Sequence, residues 1–507
     1  MPFRSSKSIN DEVVQHAGFD GGLNLSVSGE ALQPNELAEA LNVEHDPVHG
    51  GLKVRGGLRR VANFADVGGA PIFFAANGGE NQIFGMDYGN RKLFGYRPGA
   101  LIHPYNTTPF LGTGDYVDPL SVVQWDRSSY DFTQNTVAMV GVSSTIYRCE
   151  FPSEMVMLSN APSGRCLFTW GGRLGTSEQY GQLHLSAVGD PDAWANSPAD
   201  LSSAQFIDIG YKDGNTLRAI VPLGQDLIVF KGHRFYHGVG DIWRISGYIP
   251  DTVVYKVVSG VTTFSQNSVH VAGNDVFFLN LNGLGTLSSV MEYGDIKLSW
   301  LDSKVSDVLS KELDRYSKLW HIPSKGQLWI QGRNKKNVWV FHYRNKSWTR
   351  FVFPDDIDYA CELRESVGAA PKVHIVSRGV IYVLDDSLSR DENDARPIRA
   401  HLRFGTTMRS RQILVKGMGA LYRCKPETNA EVNINGFRVA LPPSASGRYA
   451  SDDARPAFGN VEPVVGNWGN GSVRRKCLVR GWGVTPEITI SGSGCSIQRL
   501  SLELAEV

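Results

Sequence analysis

A single phrase recurs along most of this chain at intervals of about 40 to 50 residues, and it restricts the possible folds more than any other feature. Two short apolar runs flank a glycine-rich or polar turn, and a third run often carries an aromatic residue. Pro71–Asn77, Gln82–Asp87 and Asn90–Tyr96 make one copy; Ala219–Leu223, Asp226–Lys231 and Phe235–Gly238 make another. Lys318–Ile322, Gln327–Ile330 and Val338–Tyr343 make a third, and Lys372–Val376 with Val380–Leu384 close the series. Runs this short, bounded by turn residues, predict strands, and their period is that of a propeller blade. The expected architecture is all-β: a β-propeller of about six or seven blades, with an extended N-terminal arm and a C-terminal β-sandwich. A pair of sandwiches is the alternative, and the period favours the propeller.

Composition agrees with this. The chain has 507 residues, of which 42% are hydrophobic, enough for a large core; 54 glycines and 24 prolines provide many turns. Lys and Arg together number 51, as do Asp and Glu. A zero balance argues against a dedicated nucleic-acid binder and suits a protein that associates with its own copies. The six cysteines are scattered and form no C-x-x-C. They read as buried reduced thiols, which favours assembly in a reducing cytoplasm. The N-terminus lacks the apolar core of a secretion signal, and no run is long enough to predict a membrane span.

Four regions are expected. Residues 1–65 form an arm with one short helix, capped by Asn35 and running through Glu36–Leu41. Residues 66–388 form the propeller, residues 389–397 a charged linker ending at Pro397, and residues 398–507 the sandwich. Within the propeller, Val305, Val308, Leu309 and Leu313 are spaced as one helix face and predict a helix packed between two blades. Within the sandwich, residues 440–472 read as a long exposed loop.

Motifs that would carry chemistry are weak. His45 and His49 flank Pro47, so a helical metal pair is not expected. Asp190 and Asp192 form a close acidic pair suited to Ca²⁺ or to acid–base work, but Asp190-Pro191-Asp192 is also a good turn sequence. No phosphate loop ends in G-K-[ST], and no G-x-S-x-G elbow or sialidase-type box occurs. No catalytic residue, cofactor or metal is therefore expected. Basic clusters at Lys53, Arg55, Arg59 and Arg60, at Arg333, Lys335 and Lys336, and at Arg474, Arg475 and Lys476 read first as solvated faces.

The opening of the chain is more distinctive. Gly21-Gly22-Leu23-Asn24, then Pro34-Asn35-Glu36 leading to Asn42-Val43, then Gly51-Leu52-Lys53-Val54-Arg55-Gly56-Gly57 follow one another. This series resembles the start of tail nozzle and packaged-DNA stabilisation (head-completion) proteins of short-tailed bacteriophages. The closing Ser491-Gly492-Ser493-Gly494-Cys495-Ser496-Ile497 resembles the end of the same family. The resemblance implies a non-enzymatic virion structural protein: a homohexameric ring below the portal and adaptor that continues the DNA channel, retains packaged DNA and carries tail fibres or spikes. It implies a location in the virion tail after assembly in the bacterial host cytoplasm. On this reading Leu23, Asn42, Arg55 and Arg59 of the arm contact the adaptor or a neighbouring subunit, or else clasp the chain's own first blade. Arg333, Lys335, Lys336, Arg474 and Arg475 are the expected DNA-channel charges, touching double-stranded DNA without reading its sequence. Two alternatives stand: a carbohydrate-binding or glycoside-hydrolysing propeller, and another phage head–tail completion protein.

Overall fold

In a computed structural model the described residues are 12–47, 50–67, 73–77, 82–87, 92–105, 120–126, 136–142, 145–150, 154–162, 166–177, 181–197, 199–210, 213–233, 238–289, 296–365, 368–392, 397–425, 428–442, 461–463 and 471–506. Strands dominate, and they form a seven-bladed propeller joined to a two-layer sandwich.

Six blades are four-stranded antiparallel meanders in chain order. Blade 1 spans residues 73–105, blade 2 120–157, blade 3 168–208, blade 4 215–259, blade 5 269–300 and blade 6 318–352. Blade 7 takes three strands from residues 359–385, and its fourth comes from the arm, Gly57–Asn63, paired with Val380–Asp385. The innermost strands follow one another round the circle, and Tyr359–Leu363 of blade 7 lies against Phe73–Asn77 of blade 1. An N-terminal strand thus completes the last blade and closes the ring.

The propeller core lies mainly between blades. Phe230 of blade 4 packs on Phe278 of blade 5 with ring centroids 5.3 Å apart, and Ile220 and Val229 of blade 4 meet Leu183 and Leu185 of blade 3. Blade 6 buries four tryptophans: Trp320, Trp329, Trp339 and Trp348 are all essentially inaccessible. Each such side chain removes roughly 150–250 Å² from water. The helix anticipated from apolar spacing is present at Ser306–Glu312, between blades 5 and 6. Val305, Leu309 and Leu313 enter the core, and Glu312 accepts a 2.7 Å hydrogen bond from the Trp339 indole.

The arm differs from expectation. Glu36–Leu41 is a strand and not a helix. Alanine, glutamate and leucine favour helix by only a few tenths of a kcal/mol per residue, and tertiary context overrides that readily. Here the segment lies between Ser347–Val352 of blade 6 and Arg399–Phe404 of the sandwich, and it bonds to both. The result is one ten-stranded sheet that runs from blade 6 through the arm into the sandwich. The facing seven-stranded sheet also takes arm strands: Glu12–Ala17, Val43–His45 and Leu52–Val54 join Thr407–Cys424, Gly471–Val484 and Cys495–Glu506. Val415, Tyr422 and Leu502 from one layer share a core with Leu402, Val432 and Ile488 from the other. The arm has extended backbone, and its described strands are woven into the two domains.

Cys424 and Cys495, partners on adjacent strands, are joined as a disulfide, which corrects the reading of six reduced thiols. Cys149, Cys166, Cys361 and Cys477 are free and buried. Most of the loop expected at 440–472 lies outside the described residues.

Candidate functional site

The arm motifs converge on the seam between blade 6 and the sandwich. Gly22 has φ of +63°, and a side chain there would meet the Trp348 carbonyl oxygen at 2.8 Å, so only glycine lets the arm lie this close to blade 6. Leu23 is buried in the shared core. Asn42 also has positive φ, +54°, a conformation that asparagine tolerates better than most residues. Its Nδ2 donates to the Arg399 carbonyl at 2.8 Å, and its Oδ1 accepts from the Val352 amide at 2.8 Å and from Arg55 Nε at 3.2 Å. One side chain thereby bridges blade 6, the arm and the sandwich.

Arg55 is 1% exposed. It donates to both oxygens of Asp391, at 3.0 and 2.8 Å, and to the carbonyls of Gly56 and Val352. Its guanidinium also lies 4.4 Å from the centre of the Phe353 ring. Asp391 accepts a further bond from the Leu58 amide. The segment read as a charged linker is thus anchored at Asp391. Residues 393–396 of that linker lie outside the described residues. The closing motif acts at the same joint: the Gly492 amide donates to the Ile398 carbonyl at 2.8 Å, and Ser493 donates to the Leu388 carbonyl.

A cleft of about 260 Å³ opens beside this seam, between the arm and the turns of blade 6 at Ser324–Gly326 and Arg344–Asn345. Glu44 is its buried anion. Burial raises the pKa of its carboxyl, but the charges of Lys325 and Lys53, with hydrogen bonds from Lys325 and Gln327, outweigh this and bring it down to about 2. Lys325 Nζ lies 2.8 Å and Lys53 Nζ 3.3 Å from Glu44 Oε1. Gln327 links Glu44 to the Trp329 indole, and Lys53 reaches on to Asp386. His45 and His342 meet edge-to-face at 4.6 Å. Burial lowers the pKa of both rings, His342 to about 3 with help from the neighbouring His45. His45 Nε2 is 2.7 Å from Ser347 Oγ, which has the outline of a Ser–His dyad. Ser347 is completely buried, so its hydroxyl cannot be reached by a substrate, and the contact fastens the arm to blade 6.

The structure distributes the remaining candidate residues widely. Leu23, Asn42 and Arg55 are buried within the chain, where the arm clasps blade 6, blade 7 and the sandwich and not the first blade; Arg59 presents its side chain at the surface, 3.5 Å from Asp385. Arg333 and Lys335 are exposed on the second turn of blade 6, at the opposite end of the blade from the cleft, and Lys336 donates to the Pro354 carbonyl. Arg475 is half-buried in the sandwich, and the side chain of Arg474 lies outside the described residues. The two basic groups therefore belong to different sheets. Asp190 and Asp192 form a turn, with the Asp192 amide on Asp190 Oδ1 and the Asp192 carboxylate on Arg148. His49 lies outside the described residues. Among the described residues, no group of three His, Cys, Asp or Glu is placed to hold a metal, and no helix is long and apolar enough to cross a membrane. Sequence reasoning missed Glu44, Lys325, Gln327, His342 and Asp391; only the placement of Glu44-His45 within the arm motif hinted at them.

No family model matches the chain, and no curated protein matches it. Solved structures that resemble it include a streptogramin B lyase (8% identity, 65% of this chain and 98% of that one, TM-score 0.41). The β-propeller domain of Myceliophteria thermophila Cps50 (Swd1) gives 10% identity over 66% and 99%, with TM-score 0.42. An exo-β-1,3-galactanase from Phanerochaete chrysosporium gives 10% over 89% and 100%, with TM-score 0.30. These likenesses concern the fold.

Proposed function

We propose that this chain is a structural subunit of a bacteriophage particle, of the tail-nozzle or head-completion type, whose propeller and sandwich act as one mechanical unit. One observation carries this reading: the motifs behind the family resemblance are all joints. Gly22 seats the arm on blade 6, and Asn42 and Arg55 tie three segments together. The strand beginning at Gly57 closes the propeller, and Gly492 with Ser493 docks the chain's end on the linker. Such residues couple the arm, the propeller and the sandwich. A subunit that lines or braces a channel around pressurised DNA needs this kind of joint.

In the virus that carries this chain, particles assembled without it are expected to package DNA and then lose it, and to be restored by the chain supplied in trans. DNA-filled, infectious particles lacking the chain would refute the proposal.

A further inference from the structure

The outer face of the seven-stranded sandwich sheet carries a row of side chains that are exposed among the described residues. Along Gly471–Val484, alternate side chains point away from the core: Cys477 is buried, while Lys476, Leu478, Arg480 and Trp482 are exposed. Leu478 is 67% and Trp482 58% accessible. Basic and large apolar side chains therefore alternate on one line of a sheet. A leucine and a tryptophan left in water forgo hydrophobic stabilisation that contact with another surface would recover.

A second surface has the opposite charge and a similar apolar content. On blade 3, the outer strand Gln205–Asp208 and the loop before it expose Leu201 and Phe206, each about half accessible. Asp200 and Asp208 are exposed beside them. Arg148 is paired with Asp192, and Arg173, held against backbone carbonyls, acts on Asp200 through its charge; Asp208 accepts from the neutral Gln182 and pairs with no cation among the described residues. The chain's zero net charge thus conceals one basic–apolar face and one acidic–apolar face, and little overall repulsion opposes their meeting.

We infer that the Lys476–Trp482 row docks on the blade 3 surface of a second copy of this chain. Lys476 and Arg480 would face Asp200 and Asp208, while Leu478 and Trp482 would cover Leu201 and Phe206. The two patches differ, so the contact is heterologous and propagates from copy to copy, into a ring where the rotation closes. The inference rests on the reading of the chain as a subunit of a multi-copy structure, and it names the surfaces that reading leaves open. Duplex DNA fits the basic row less well, because only two cations on it would meet phosphates while the leucine and tryptophan between them would have to unstack bases to be covered.

The test uses the full chain in native mass spectrometry and sedimentation velocity across a concentration series. Lys476→Glu with Arg480→Glu, and separately Asp200→Lys with Asp208→Lys, should each weaken assembly about tenfold or more, and the four changes together should restore it. Leu478→Ser with Trp482→Ser should weaken assembly without rescue by either charge reversal. All these positions are on the surface; because Asp200→Lys and Asp208→Lys also remove bonds from Ser202 and Gln182, a retained cooperative thermal melt verifies folding in each variant. Assembly that survives both reversals overturns the inference and leaves the subunit reading intact. A wild-type chain that stays monomeric at every concentration overturns both. Binding of a 30-base-pair duplex that is lost in Lys476→Glu/Arg480→Glu while assembly is unchanged would reassign the basic row to DNA and overturn the inference.

Discussion

Arg55 and Asp391 are 336 positions apart in the chain and meet as a buried, bidentate ion pair at the joint of arm, propeller and sandwich. Both carbonyls that Arg55 also reaches and the amide that Asp391 accepts belong to that joint. Removing one partner leaves a desolvated charge. Asp391→Ala should therefore cost about 3–5 kcal/mol in denaturant unfolding. Arg55→Met combined with Asp391→Leu should recover much of that loss, since an apolar pair leaves no buried charge. Equal losses in the single and double variants would show that the pair's shape, and not its charge balance, holds the joint.

Asn42 serves by backbone and side chain together. Asn42→Gly keeps access to positive φ and loses three hydrogen bonds; Asn42→Ala loses the bonds and adds backbone strain. Alanine is expected to be worse than glycine by about 1 kcal/mol, and both should be clearly less stable than the parent in thermal melts. If alanine equals glycine, the left-handed backbone at this position contributes nothing.

The short helix at Ser306–Glu312 is a packing element. Leu309→Ala should destabilise by about 2–5 kcal/mol, because Leu309 is fully buried between blades 5 and 6. A change under about 0.5 kcal/mol would mean that the helix is not seated as described.

Acid should weaken the seam in two stages. The folded pKa of His342 is lowered from 6.5 to about 3, so the unfolded chain binds the proton first. That part of the stability is present above pH 6.5 and falls away between 6.5 and 3. Glu44 is lowered from 4.5 to about 2, so its contribution is complete above 4.5 and is lost between 4.5 and 2. Urea unfolding at pH 7.5 and pH 5 should show the parent less stable at pH 5, and His342→Gln should reduce that difference without abolishing it, because burial also lowers the pKa of His45, His270 and His374. An unchanged slope in the variant would remove His342 from the explanation.

Thiol titration separates the two accounts of the cysteines. Denatured without reductant, the chain should react at four thiols, with Cys424 and Cys495 protected. Six reactive thiols would restore the reading of a fully reduced chain.

Local patterns in the sequence revealed the local elements. The blade phrases were visible because antiparallel meanders pair neighbours, and Val305, Leu309 and Leu313 marked a helix by spacing alone. The arm was not visible in the same way. Glu36–Leu41 has helix-forming side chains, and its strand state comes from blade 6 and the sandwich, hundreds of residues further along. Gly57–Asn63 gives no local sign that it completes blade 7. Asp391 lies in a charged stretch that reads as a linker, and only the fold brings Arg55 to it. The cleft is built from an arm and two turns of one blade, so no contiguous motif could announce it.

The central claim is that this chain is a ring-forming structural subunit whose propeller and sandwich move as one. Cryo-electron microscopy of the particle that carries it, with symmetry determined locally at the neck and tail, tests this most directly. The account predicts a closed ring of this chain below the portal, DNA density along its axis, and the sheet through Ser347–Val352, Glu36–Leu41 and Arg399–Phe404 unbroken in every subunit. A particle without such a ring, or a ring whose sandwich has separated from blade 6 along Glu36–Leu41, would contradict it.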